Sequence, residues 1–74
     1  MEEKLIGIVA ATLGVRPSQL RLDTAAGELE AWDSLAHINI VSEVESGFGV
    51  SIPIEEIAEI RRIADFLPYL GRAA

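Results

Sequence analysis

The sequence predicts an all-α protein, a four-helix bundle with a long loop between its first and second helices and a short third helix. Hydrophobic residues make up 50% of the 74 residues but aromatic residues only 5%, so aliphatic side chains must form the core, which favours packed helices. Apolar residues recur at helical spacing in four separate segments. The chain has no cysteine, so no disulfide can supplement that core. We expect one domain over residues 1–74, about half the length of a typical domain.

The first helix is predicted over residues 2 to 13. Leu5, Val9 and Leu13 recur at helical spacing, and Glu2 and Glu3 lie in the first turn, where the helix dipole favours anions. A glycine follows at position 14 as a C-terminal stop.

Residues 15 to 33 form a loop without steady periodicity. Loops longer than about 12 to 15 residues are uncommon in compact domains, so we expect this one to pack against the helices. Ser18 could cap a short turn within it. The apolar residues that could anchor the loop are Val15, Leu20, Leu22, Leu29 and Trp32.

The second helix is predicted over residues 34 to 47, with Asp33 or Ser34 as its N-terminal cap. Gly47 and Gly49 are expected to end it. A turn of about 100° per residue defines its core face. That face holds Ile40, Val41, Val44 and Phe48, with His37 beside them.

Two further helices are predicted, a short third helix over residues 54 to 60 and a fourth over residues 61 to 70. Pro68 should kink the fourth helix or end it near Leu67, because proline inside a helix removes a backbone hydrogen bond. Residues 71 to 74 should form a frayed tail.

Two bulky apolar residues of the second helix, Leu35 and Ile38, lie off its core face, in line with Ser42 and Glu45. Together they suggest a docking surface. Ser34 stands where the long loop meets this helix. A phosphate on its hydroxyl would lie beside the free N–H groups of the helix start, but the residues alone favour Ser34 as a simple cap, because serine is among the preferred capping residues.

The order of these motifs resembles that of a known family. The chain is similar over its whole length to acyl and peptidyl carrier proteins, and Asp33-Ser34-Leu35 resembles their phosphopantetheine attachment region. The other matching segments are Leu13-Gly14-Val15, Phe48-Gly49-Val50, Ile52-Pro53 and Glu55-Glu56.

This resemblance implies that Ser34 receives a 4'-phosphopantetheine arm from coenzyme A through a separate phosphopantetheinyl transferase. The arm's thiol would hold acyl or aminoacyl cargo as a thioester, and the protein would have no catalytic residues of its own. Asp33 would help to engage the transferase and its magnesium. Partner enzymes that load and condense the cargo would bind the face formed by Leu35, Ile38, Ser42 and Glu45.

The sequence also departs from the family pattern. Trp32 stands where many members have glycine, and Arg61 and Arg62 replace the usual hydroxyl-bearing cap before the last helix. The second helix has only Glu43 and Glu45 as acids. These differences favour a specialised lipid, polyketide or peptide-type pathway.

The net charge of -6 disfavours nucleic acid and anionic membranes and suits partners with a basic docking surface. The start of the chain lacks the basic residues of a secretory signal. We therefore expect a cytoplasmic monomer.

Three alternatives to a carrier can be weighed from the residues. A hydrolase using Asp33, Ser34 and His37 is disfavoured, because the sequence has no G-x-S-x-G elbow and one small core leaves little room for a cleft. No metal site is expected, since one histidine and scattered carboxylates lack ligand spacing. The remaining alternative is a carrier-like interaction module that is never modified and binds a partner through the second helix.

Overall fold

Four α-helices form the fold in the computed structural model, which describes residues 1–70. They are α1 (Glu2–Leu13), α2 (Ser34–Phe48), α3 (Ile54–Ile57) and α4 (Leu67–Leu70). Short 3-10 turns lie at Pro17–Gln19, Ala26–Glu28 and Ile63–Phe66. Residues 1–70 contain no β-strand, which confirms the predicted all-α class. The expected frayed tail, residues 71–74, lies outside the described residues.

The core lies between α1 and α2 and is closed by the C-terminal segment. α1 buries Leu5, Val9 and Ala10, because these residues recur on one side of the helix. The predicted core face of α2 is confirmed at Ile40, Val41 and Val44. The other buried apolar residues are Leu20, Trp32, Ile52, Ile60, Ile63, Phe66 and Leu70. No helix within residues 1–70 has both the length and the hydropathy to span a bilayer.

Glycine ends both long helices, but Gly47 does not end α2 as expected. Gly14 and Gly49 adopt the left-handed conformation at φ 71° and 67°, which glycine accepts without strain. Gly47 lies inside α2 instead, where α1 passes close by. A Cβ atom at this position would lie 2.6 Å from Ile8 Cδ1, so its lack of a side chain permits the close packing of α1 on α2.

Phe48 is less buried than the helical periodicity predicted. It is the last residue of α2 and lies half-buried at the edge of the core. The Lys4 ammonium group lies 4.8 Å from the centre of its ring, a distance at which a cation is attracted to the aromatic face. The prediction that Phe48 belongs to the core face is therefore only partly right.

The long loop packs against the bundle as expected. Leu20 and Trp32 are buried, and the other three predicted anchors are partly buried against the core. Ser18, however, does not cap the first 3-10 turn. The Arg16 N–H donates to Gln19 Oε1 at 3.0 Å, so a glutamine amide caps this turn. Ser18 is exposed within the turn.

The C-terminal segment is more broken than predicted. α3 ends at Ile57, and the predicted fourth helix begins as the 3-10 turn Ile63–Phe66 before α4 starts at Leu67. Because Pro68 is the second residue of α4, its missing N–H removes no hydrogen bond of that helix. The helical segment does not end at Leu67 but changes there from a 3-10 turn to an α-helix, and the kink stays a prediction.

Candidate functional site

Asp33 and Ser34 stand at the start of α2 and differ in their contacts. Asp33 is the N-cap, because its Oδ1 accepts a hydrogen bond from the Ala36 N–H at 2.8 Å. Ser34 is exposed, and its hydroxyl makes no hydrogen bond within residues 1–70. Since the neighbouring aspartate caps the helix, the serine hydroxyl is available for other chemistry.

An open groove lies beside Ser34, between the long loop, the start of α2 and α3. Its volume of about 780 Å³ lies within the range of pockets that bind small molecules, roughly 300 to 1,000 Å³. Asp33 and Arg61 are the charged residues along it. The apolar part of its lining includes Trp32, Ile38, Ile54, Ile57, Ala58 and Ile60.

Trp32 and His37, which both line the groove, are joined by a hydrogen bond. Trp32 Nε1 donates to His37 Nδ1 at 3.0 Å, and His37 Nε2 lies 3.0 Å from the Ile57 carbonyl oxygen. The two rings stack with their centroids 6.0 Å apart. His37 is half-buried, as expected for a histidine at the edge of the core face. Both of its ring nitrogens are engaged away from Ser34, so residues 1–70 contain no serine–histidine pair of a hydrolase.

The predicted partner face is only partly exposed. Leu35 and Ile38 are 71% and 56% exposed, and Ser42 is also exposed. Glu45 differs from the other three. It is half-buried, and its Oε2 accepts a hydrogen bond from the Ile52 N–H at 2.7 Å, which ties α2 to the segment before α3.

Ile54 belongs to the same surface, although the sequence placed it only among the apolar residues of the third helix. It is the first residue of α3 and is 83% exposed. The sequence feature that could have indicated this exposure is the position of Ile54 after Pro53, at the start of a helix too short to bury all of its apolar residues. We name Leu35, Ile38 and Ile54 the apolar rim, because all three are exposed next to Ser34 or along the groove.

The carboxylates of α3 do not form a metal site. Glu56 Oε1 accepts a hydrogen bond from the Tyr69 hydroxyl at 2.5 Å, which links α3 to α4. Residues 1–70 contain no group of three or more histidine, cysteine, aspartate or glutamate side chains that could hold a metal ion.

The residues around Ser34 fit a covalently attached phosphate ester that continues into a flexible chain. The exposed hydroxyl has no internal partner, and the first N–H groups of α2 lack acceptors within the helix, as at any helix start. The groove begins at the same residue and offers apolar surface.

Comparison with known proteins agrees with this geometry. Residues 3–70 match the family described as "Phosphopantetheine attachment site". An acyl carrier protein of Rickettsia bellii is 33% identical over 70 residues, covering 95% of this chain and 81% of the relative. An acyl carrier protein of Phaeodactylum tricornutum is 33% identical over 69 residues, covering 93% of this chain and 91% of the relative.

A probable acyl carrier protein of Caulobacter vibrioides is 35% identical over 60 residues, which cover 81% of this chain and 70% of the relative. The family match spans both long helices, the loop between them and the C-terminal segment. The chain belongs to the acyl carrier protein family, whose cofactor is 4'-phosphopantetheine.

Proposed function

We propose that this protein, as one domain over residues 1–74, transports acyl intermediates of a specialised biosynthetic pathway on an arm attached to Ser34. The observation that supports this assignment is the exposed Ser34 hydroxyl, which makes no hydrogen bond within residues 1–70 because Asp33 caps α2 in its place. When bound, 4'-phosphopantetheine supplies a thiol that holds the cargo as a thioester. The chain itself presents the cargo and catalyses no step.

Attachment requires a separate transferase that uses coenzyme A. The Ser34 hydroxyl loses its proton and forms the new phosphate ester, while the adenosine bisphosphate part of coenzyme A leaves. Asp33 has two roles in this proposal. Its Oδ1 accepts from the Ala36 N–H, and its carboxylate, exposed beside Ser34, engages the transferase and its magnesium.

Partner enzymes dock on the surface next to Ser34. Leu35 and Ile38 supply exposed apolar area, Ser42 supplies a hydroxyl, and Glu45 supplies a carboxylate that also holds Ile52. Between Asp33 and Glu43 the helix has no charged residue. This neutral stretch supports a pathway-specific partner that recognises apolar shape near the attachment point.

Intact-mass measurement tests the assignment. The protein is incubated with coenzyme A, magnesium and a broad-specificity phosphopantetheinyl transferase. We expect a mass gain of one phosphopantetheinyl group in the native sequence and in Ser46→Ala, which removes another exposed serine of α2. Ser34→Ala should gain no mass while keeping its helical circular dichroism.

A folded native protein that gains no mass would contradict the proposal and would favour the unmodified interaction module. A mass gain that persists in Ser34→Ala would place the attachment at another residue.

A further inference from the structure

Trp32, His37 and Ile57 are joined by hydrogen bonds along the groove that Ser34 also lines. The indole N–H of Trp32 donates to His37 Nδ1 at 3.0 Å, and His37 Nε2 lies 3.0 Å from the Ile57 carbonyl oxygen. These contacts connect the end of the long loop, the first turns of α2 and the last residue of α3. We call them the Trp32–His37–Ile57 bridge.

The bridge requires a neutral His37. An indole nitrogen only donates and a carbonyl oxygen only accepts, so Nδ1 is the acceptor and Nε2 carries the ring proton. A protonated imidazole has an N–H at both ring nitrogens. Its Nδ1–H would face the indole N–H across 3.0 Å, and two donors in that position repel each other. Protonation of His37 therefore breaks its hydrogen bond with Trp32.

His37 is the partner that moves when this bond breaks. Trp32 is only 4% exposed and belongs to the core, whereas His37 is half-buried beside the open groove. The cheaper rearrangement is thus for the imidazole to turn into the groove and to leave the Ile57 carbonyl as well. Both hydrogen bonds of the bridge are then lost together.

The charges around the groove favour the same movement. Among the residues that line it, the charged ones are Asp33 and Arg61. Asp33 lies one helical turn before His37, whose backbone N–H donates to the Asp33 carbonyl at 2.9 Å. A protonated ring is therefore attracted toward the start of α2 and repelled by Arg61, which follows α3. The residues that the long loop and α3 contribute to the groove carry no charge: Ala25, Ala26, Gly27, Trp32, Ile54, Ile57 and Ala58.

The position of α3 depends on polar contacts, because this helix buries none of its own residues. Its first residue, Ile54, is 83% exposed. Side-chain hydrogen bonds tie α3 and the segment before it to other helices, and one of them is the bridge. The bonded pairs are Ile52 with Glu45, Tyr69 with Glu56, and Ile57 with His37. Loss of the last pair frees the end of α3 from α2.

We propose that His37 is a pH-sensitive positioning residue: its neutral ring holds α3, and with it Ile54 of the apolar rim, against α2, and its protonation releases them. Histidine changes its charge between about pH 8 and pH 5. The consequence for loading rests on the proposed attachment at Ser34, since it is there that the transferase docks. Loading of Ser34 falls as the pH drops through this range, because the rim beside the serine is no longer held in place.

NMR titration of the unmodified protein from about pH 8 to about pH 5 tests the bridge itself. The chain has one tryptophan and one histidine, so a single indole N–H signal and a single imidazole report on it. We expect the neutral ring to carry its proton on Nε2. As the ring titrates, the indole N–H signal and the methyl signals of Ile54 and Ile57 should shift with the same midpoint. The methyl signals of Ile40 and Ile63, which are fully buried, should stay in place.

Two variants separate the charge of the ring from its conflict with the indole. Trp32→Phe keeps an aromatic ring but removes the donor, so a protonated His37 can still donate to the Ile57 carbonyl. The methyl signals of Ile54 and Ile57 should then stay in place while the imidazole titrates. His37→Gln cannot titrate, and its indole N–H signal should be constant across the same range. If His37→Gln does not fold, Trp32→Phe alone carries the comparison.

The effect on loading is measured as the initial rate of mass gain with coenzyme A, magnesium and the transferase. The rate for the native protein is divided by that for Trp32→Phe at each pH, which cancels the pH dependence of the transferase. One pH unit below the midpoint of the His37 titration, about one tenth of the molecules keep the neutral ring. The ratio should therefore fall by up to roughly tenfold.

Three results would overturn the inference. The first is a neutral ring protonated on Nδ1, and the second is an imidazole that titrates while the indole signal stays fixed. The third is a loading ratio that does not change with pH. Absence of any mass gain at every pH would instead refute the proposed function and the effect on loading, whereas the titration of the unmodified protein would still decide whether the bridge opens.

Discussion

At the start of α2, Asp33 caps the helix, which leaves the hydroxyl of the adjacent Ser34 available for modification. Asp33 and Ser34 are both good N-cap residues, so the sequence alone could not assign the cap. The structure assigns it to Asp33 through the hydrogen bond from the Ala36 N–H. Ser34 then occupies the first helical position, where its side chain makes no hydrogen bond within residues 1–70.

Substitution of Asp33 should separate capping from engagement of the transferase. Asp33→Ala should lower the free energy of unfolding by about 1 kcal/mol, because the Ala36 N–H loses its acceptor. Asp33→Asn keeps a capping oxygen but removes the charge, so it should keep most of the stability and still slow the loading of Ser34. Urea unfolding and initial rates of mass gain measure the two effects. Equal loading rates for Asp33→Asn and the native protein would contradict the role in engagement.

The residues that sequence reasoning misjudged share a physical cause. Helical periodicity correctly predicted Ile40, Val41 and Val44 as buried, because they lie in the middle of α2. It could not show that Phe48, at the end of the same face, would meet solvent and a lysine. It also could not show that Glu45 would turn toward the Ile52 N–H. Both outcomes depend on neighbours that are distant along the chain or beyond the helix end.

At the scale of elements, side chains three residues into each 3-10 turn cap the turn. In each case the N–H of the residue before the 3-10 turn donates to a side-chain oxygen of the third residue of that turn. The acceptors are Gln19, Glu28 and Asp65, at 3.0, 2.9 and 3.0 Å respectively. A capping box usually begins with serine or threonine, which these turns lack. The sequence shows the glutamine and the two acids, but not the serine or threonine that normally begins a capping box. Without that residue, the start of a new turn at Ile63 could not be recognised, and residues 61 to 70 were predicted as one continuous helix.

The cap at Asp65 predicts a pH dependence. The pKa of Asp65 is lowered from its ordinary value of 3.8, chiefly because the Arg61 N–H donates to its carboxylate; burial opposes this, and the Arg62 N–H and charge add to it. The folded pKa thus lies below the unfolded one. The charged carboxylate stabilises the fold fully above the ordinary pKa of 3.8, and this contribution is lost as the pH falls through the folded pKa.

Asp65→Asn keeps an acceptor oxygen and cannot titrate, so it is the matched control. We expect the native protein to be more stable than Asp65→Asn near neutral pH, and the difference to shrink as the pH falls below about 4. Urea unfolding of both proteins across this range measures the effect. A difference that stays constant with pH would show that the carboxylate charge has no part in the cap.

The contact between α1 and α2 predicts different effects on stability for alanine substitutions at two helical glycines. Gly7→Ala meets no atom within 4 Å and should stabilise the protein by about 0.5 to 1 kcal/mol, the usual advantage of alanine inside a helix. Gly47→Ala gains the same advantage but must displace Ile8 Cδ1 from 2.6 Å, so its net gain should be smaller or absent. Thermal unfolding of the two variants measures both gains in stability. An equal gain would contradict the close contact between Gly47 and Ile8.

At the scale of the whole molecule, the apolar rim is the surface that the fold leaves uncovered next to Ser34. Leu35 and Ile38 could be placed there from their helical phase. Ile54 could not, because its exposure depends on where α3 lies relative to α2, which the sequence does not specify.

Ile54→Ala should affect binding without affecting the fold. Because Ile54 is 83% exposed, stability should change by no more than about 0.5 kcal/mol. Affinity for the transferase should fall by about 1 kcal/mol, or roughly fivefold, if the apolar rim fills a pocket on the enzyme. Surface plasmon resonance measures the affinity, with Ser46→Ala at the far end of α2 as the control. Unchanged affinity in Ile54→Ala would remove Ile54 from the docking surface.

The long loop is paired through its backbone with the C-terminal segment. The Ala26 N–H donates to the Arg61 carbonyl at 2.8 Å, and the Ala64 N–H donates to the Leu22 carbonyl at 2.8 Å. During synthesis on the ribosome, the loop therefore lacks these partners until residues 61 to 64 have emerged. Ser34 is translated well before those residues, so the loop that leads to it gains these backbone partners only after residues 61 to 64 have followed. We therefore expect the transferase to meet a complete loop at Ser34 only once that segment has been synthesised.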